Sequence, residues 1–123
     1  MLTNMALIAF IPTTSPEKAK AFYQGLLGLE LLSADEFALV FNARGTMLRV
    51  VTVPVLKPQE FTILGWQVPD LLSLIHSLNE KKIYCEKYPF LQQDEFGIWK
   101  SPGGASVAWF KDPDGNLLSL TQG

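Results

Sequence analysis

Residues 110–120 read FKDPDGNLLSL, and how this stretch is read decides the fold. Apolar Trp109 and Phe110 lead into Lys111-Asp112-Pro113-Asp114-Gly115-Asn116, and Leu117-Leu118-Ser119-Leu120 leads out. Pro113 fixes φ at a turn position, the Asp112 carboxylate can accept bonds from backbone amides ahead of it, and Gly115 and Asn116 tolerate positive φ. The stretch is strand, tight turn, strand, and the turn does no chemistry itself. Ser119 is the exception, a hydroxyl on an otherwise apolar returning strand.

Working back from the hairpin, residues 106–111, 97–100 and 83–86 are strand-like, and residues 87–96 form a polar and aromatic loop. Before them lies a helix over about 71–82, opened by Pro69-Asp70, with Leu71, Leu74, Ile75 and Leu78 on one face. A strand over 61–68 precedes it. The first half has the same order. An apolar run over 5–11 ends at Pro12. Ser15 is placed to cap a helix that has Pro16 at its first position and Glu17 in its first turn. Ala19, Phe22, Tyr23, Leu26 and Leu27 make one apolar face, and Gly28 stops the helix. Strands over 29–33, 37–41 and 46–53 follow, and the last is apolar on both faces, as a central strand is.

The order therefore occurs twice, although the two halves share little residue identity. We expect an α+β protein: two βαβββ modules forming a curved mixed β-sheet cup with helices outside. One domain should span 1–123, with module 1 at about 1–54, a linker bearing Pro54 and Pro58 at about 54–60, and module 2 at about 61–123. A concave sheet face is a natural ligand site.

Composition narrows the function. Of 123 residues, 48% are hydrophobic and 18% charged, which suits a packed core or a lined cavity, and the net charge is −2. No basic stripe suggests nucleic acid. The apolar run over 6–11 is too short to cross a membrane. The single cysteine, Cys85, cannot form an internal disulfide, so a reducing compartment, the cytoplasm, is expected. No nucleophile signature surrounds it, and it reads as a small strand residue.

Three stretches together carry a family resemblance. Phe22-Tyr23 with Leu27-Gly28-Leu29, the junction Trp66-Gln67-Val68-Pro69-Asp70, and the terminal hairpin 110–120 are similar, in order, to the glyoxalase / bleomycin-resistance / dioxygenase group, the vicinal oxygen chelate superfamily. The resemblance covers essentially the whole chain. For the metal enzymes of that group it implies a divalent ion held by His, Gln or Glu on the first strand of each half and on the last strand of one or both halves. Carried over, those positions fall near Ile8 (with Ala6 of the same parity), at Ile63 beside Thr62, at Leu48 or Arg49, and at Ser119. None is a carboxylate or an imidazole, and a neutral hydroxyl does not replace a charged ligand. We therefore expect no metal and no other cofactor. Ser119 is expected to line a metal-free pocket and donate one hydrogen bond.

Other residues could meet a ligand. Arg49 on its apolar strand needs water or an anion: either it faces the cup and a ligand, or it pairs with a neighbouring acid or solvent. In the 88–99 stretch, Phe90, Phe96 and Trp99 could stack on a planar or apolar ligand, while Asp94 and Glu95 could hold a basic group. The same loop could instead be core or a dimer contact. For Trp66 and Trp109 core packing is the default, with pocket lining second. Ligand-poor members of the group include homodimers that sequester antibiotics, so the resemblance implies a homodimer binding an aromatic or charged small molecule, with no nucleic acid and no membrane among its partners. The first expectation is a metal-independent binding protein that sequesters a toxic or antibiotic compound. The alternative is a glyoxalase-type lyase or isomerase using a divalent metal or an acid–base set drawn from His76 with Asp94 or Glu95. Against that role, His76 reads as a half-exposed helix residue.

Overall fold

The computed structural model describes residues 1–123, which divide into two compact units, Met1–Lys57 and Pro58–Gly123. Each is a βαβββ module with one four-stranded mixed sheet, so the chain is α+β as expected.

In the first unit the strands are β1 (Ile8–Thr13), β2 (Glu30–Ala34), β3 (Ala38–Ala43) and β4 (Thr46–Thr52), in sheet order β1-β4-β3-β2. β1 runs parallel to β4, and the other pairs are antiparallel. β4 is thus central. Helix α1 (Pro16–Lys20) starts where the cap chemistry put it: the Lys18 N–H donates to the Ser15 hydroxyl, and Pro16 opens the first turn. It continues as a π-helical segment (Ala21–Leu26), whose wider turns include a bond from the Leu27 N–H to the Phe22 carbonyl. Gly28, at φ +76°, lets the chain reverse, as the stop signal implied. Ala19, Phe22 and Tyr23 are buried, with Tyr23 6.1 Å from the Phe41 ring. Phe41 lies beside Leu48 in the ladder, so the helix covers the face that carries Phe41, Leu48 and Val50.

In the second unit β5 (Leu64–Gln67) is parallel to β8 (Leu117–Gln122), followed in the sheet by β7 (Ser106–Lys111) and the two-residue β6 (Trp99–Lys100). Helix α2 (Leu71–Glu80) is capped by Asp70, whose carboxylate accepts from the Ser73 N–H. Leu71, Ile75 and Leu78 are buried against a sheet face made by Ala108, Phe110, Leu118 and Leu120. Leu74, expected with them, is only half-buried.

One expected strand is absent. Residues 83–86 join no ladder: apart from a 2.7 Å bond from the Glu86 N–H to the Trp109 carbonyl, the segment runs irregularly toward the loop. The strand beside β7 is β6 instead, because the Gln93 side chain holds the intervening loop. It donates to the carbonyls of Glu86 and Gly97 and accepts from the Tyr88 N–H.

The 110–120 hairpin is built as its residues dictate. Asp112 Oδ1 accepts from the amides of Asp114 and Asn116, Oδ2 accepts from the Asn116 side chain, and Gly115 takes φ +87°. Both Asp112 and Asn116 are buried, so the turn is a packed polar knot.

Candidate functional site

β-Sheet parity sorts the candidate residues on strands onto a face. In the second unit Trp109 lies opposite Ser119, Ser119 opposite Gly65, and Val107 opposite Trp99. All of these point away from the face that α2 covers. Trp99 and Trp109 lie 6.0 Å apart, Tyr88 meets Trp109 edge-on at 6.0 Å, and Phe90 lies 5.4 Å from Tyr88. Four rings thus form one continuous run. The Trp109 indole N–H donates to the Thr62 hydroxyl at 3.0 Å, which fixes the ring in the middle of the run.

Ser119 is 9% exposed on this face. A side chain at Gly65 would bring its Cβ to 2.6 Å from the Ser119 Oγ, so the serine fills the space left by the glycine. That close approach explains the glycine on β5.

The aromatic run ends at an open cleft of about 490 Å³. Tyr88, Phe90 and Leu117 supply its apolar lining, Pro58 and Gly115 flank it at the hairpin turn, and Glu60 and Lys111 supply charge. The Lys111 ammonium lies 3.5 Å from the Glu86 carboxylate. Burial first, and then the Glu86 charge, raises the Tyr88 phenol above its ordinary value, so it stays protonated at neutral pH. The Cys85 thiol is pushed up to about 11, by burial first and then by Glu86 and Asp94. It is therefore a poor nucleophile at neutral pH, as the lack of a nucleophile signature suggested.

The other sequence candidates separate. Phe90 is 78% exposed at the cleft, and Trp99 is in the aromatic run. Phe96 packs edge-on against the exposed His76 ring at 5.0 Å, on α2. Asp94 Oδ1 accepts from the amides of Phe96 and Ile98 and so shapes the loop, while Glu95 is exposed. Arg49 belongs to the first unit. It is half-buried on the face opposite Leu48 and Val50, with Phe10 beside it on β1 and Val40 on β3. The Asp35 carboxyl is held below its usual range by the amides of Ala38 and Phe37, and the Arg49 charge adds a smaller share.

Sequence reasoning passed over Tyr88, Glu60 and Lys111, and put core packing before pocket lining for Trp109. Hairpin arithmetic could have found Trp109: closing the turn between Lys111 and Leu117 puts positions 109 and 119 opposite each other. Nothing comparable flags Glu60, which reaches the cleft from the segment between the modules.

Residues 5–120 match the family model for the Glyoxalase/Bleomycin resistance protein/Dioxygenase superfamily, and the chain belongs to that superfamily. Among solved structures, TnmS3, an antibiotic binding protein from Streptomyces sp. CB03234, is 24% identical, with 99% of this chain and 98% of that one aligned at TM-score 0.70. Lactoylglutathione lyase from Agrobacterium tumefaciens is 15% identical over 98% and 94% at TM-score 0.77. A superfamily member from Sphaerobacter thermophilus DSM 20745 is 22% identical over the full length of both chains, also at 0.77. At these identities the likeness is one of fold. Comparison with curated proteins gives no significant match.

Some members of the superfamily hold a divalent metal, and the corresponding residues here do not suit one. Ile8, Ile63 and Leu48 offer no donor atom, Arg49 is a cation, and the Thr62 hydroxyl already accepts the Trp109 N–H. No three His, Cys, Asp or Glu side chains converge anywhere in the chain, and His76, Asp94 and Glu95 form no such group.

Proposed function

We propose that this protein binds a small, partly aromatic molecule without a metal, and that its biological task is sequestration of a toxic or antibiotic compound. The observation that carries this reading is the run Trp99–Trp109–Tyr88–Phe90 opening into the cleft of about 490 Å³. Such a site offers stacking area and few polar anchors, which suits retention of a ligand rather than turnover. Ser119 contributes a hydroxyl on the same sheet face. Phe90 and Trp99 are the principal contacts, and Glu95 stands at the loop rim. Phe96 and Asp94 act by holding the loop. Arg49, on the uncovered face of the first module, serves an anionic partner. The working form is a homodimer.

The experiment is titration of chelator-treated protein with a panel of flat aromatic antibiotics, followed by calorimetry and by quenching of the three tryptophans. At least one compound should quench strongly, with an affinity unchanged by added Ni²⁺, Zn²⁺ or Mn²⁺ and reduced in Trp99→Ala. Binding that develops only after a divalent ion is restored would overturn the metal-independent reading. A panel-wide failure to quench would overturn the binding role.

A further inference from the structure

The geometry points to a charge preference in the cleft: it selects a flat aromatic cation over neutral or anionic rings of the same size, with Glu60 as counter-ion and Phe90 as stacking platform. This rests on the small-molecule reading above and deepens it. The cleft contains one basic group, Lys111, and that ammonium is already paired with Glu86 at 3.5 Å. Glu60 lines the same cleft with no cation paired to it. Counting Lys111, Glu86 and Glu60 together leaves one uncompensated negative charge. The aromatic walls act in the same direction. The faces of phenyl and phenol rings carry negative potential and attract cations, most strongly where water is partly excluded. Phe90 is 78% exposed and lies 5.4 Å from Tyr88, so most of its ring is open to a guest. The backbone places the acid: a side chain at position 115 would come within 3.2 Å of the Pro58 ring, so the glycine there lets the segment that carries Glu60 pack closely against the hairpin turn.

The test uses three probes of matched size: N-methylacridinium, neutral acridone and acridine-9-carboxylate. Each is titrated into the full chain at low and at physiological salt. The cation should bind tightest, and its advantage over the anion should shrink as salt rises. Glu60→Gln should weaken the cation roughly two- to fivefold, the scale of one solvent-exposed ion pair, and leave acridone unchanged. Phe90→Ala should weaken all three probes, by roughly tenfold for a lost stacking surface. Both side chains are exposed, and unchanged melting temperatures verify that the variants fold. Tighter binding of the carboxylate would overturn the charge preference while leaving the small-molecule reading intact. A cation preference that neither substitution alters would place the site elsewhere and overturn the assignment to this cleft. If none of the probes binds, both readings fall.

Discussion

Both modules use the same sheet order, with the first strand parallel to the fourth, yet their uncovered faces differ in chemistry. The first module's face carries Ile8, Phe10 and Met47, which are 46%, 60% and 36% exposed, around a half-buried Arg49. The second carries tryptophans, a serine and a glycine. The register makes the places comparable: Phe10 lies beside Arg49 on β1 and β4 as Gly65 lies beside Ser119 on β5 and β8. What separates the modules is the chain between helix and second strand. In the first, the helix leads almost directly into β2. In the second, residues 81–98 intervene, held by Gln93, and bring Tyr88 and Phe90 to the sheet. A repeated fold thus acquires a cleft on one copy through a single lengthened connection, which fits the usual division between scaffold and functional loop.

The largest contrast should lie in the turns between third and fourth strands. In the second module Asp112 satisfies three donors in a buried knot. In the first, Asn42 accepts one exposed bond from the Gly45 amide. Asp112→Ala removes charge-assisted bonds, two of them to the buried Asn116, at a cost of about 2–4 kcal/mol. Asn42→Ala should cost about 0.5–1 kcal/mol. Chemical denaturation measures both. Equal costs would show that the two turns share the load despite their different burial.

A smaller effect is expected at the paired sheet positions. Gly65→Ala places a Cβ against the Ser119 Oγ and should cost about 1–3 kcal/mol by overpacking. Ser119→Ala in the same chain should recover part of that loss, because the nearest obstructing atom is gone. Phe10→Ala, at the corresponding place in the first module, should cost less than about 1 kcal/mol because the ring is largely exposed. A double-mutant cycle showing no coupling between positions 65 and 119 would dissolve the explanation for the glycine.

These particulars show what the chain reveals on inspection. The hairpin at 110–120 was legible because Asp, Pro, Gly and Asn act locally and each has one job in a turn. Both helix starts were legible for the same reason, through Ser15 and Asp70. The repeat of element order predicted two βαβββ modules in a curved mixed sheet, and the apolar faces of residues 46–53 a central strand; each module carries its own four-stranded mixed sheet. Residues 83–86 misled because Ile83 and Tyr84 favour strand while a side chain ten residues on, Gln93, decides the path. The site was legible only in part. Phe90 and Trp99 stood in an aromatic stretch and lie in the run of rings, whereas Phe96 turned toward α2 because the Asp94 turn redirects the chain. The face that Arg49 takes depends on ladder parity, which its apolar neighbours on both sides concealed. Glu60 and Lys111 line one cleft through tertiary structure alone.

The smallest contrast concerns titration. Asp35, beside β3 in the first module, is shifted down by backbone amides, while Cys85, in the second, is shifted up by burial. The two shifts act at opposite ends of the pH range. For Asp35 the carboxylate is favoured on folding, so its contribution is present above the unfolded value of 3.8 and is lost as pH falls through the lower folded value. For Cys85 the neutral thiol is favoured on folding. Between 9.0 and about 11 the unfolded chain has released the proton and the folded chain has not, so stability declines as pH rises across that window. Discounted for the partial exposure of the thiol, the loss is on the order of 1 kcal/mol. Denaturation of wild type and Cys85→Ala at pH 8 and pH 11 isolates it, since every other group is common to both. The wild type should lose more stability than the variant, and its thiol should react slowly with a disulfide reagent at pH 8. Parallel losses, or a fast reaction at pH 8, would mean that Cys85 is solvated and that the segment before the aromatic loop packs less closely than its 2.7 Å bond to β7 implies.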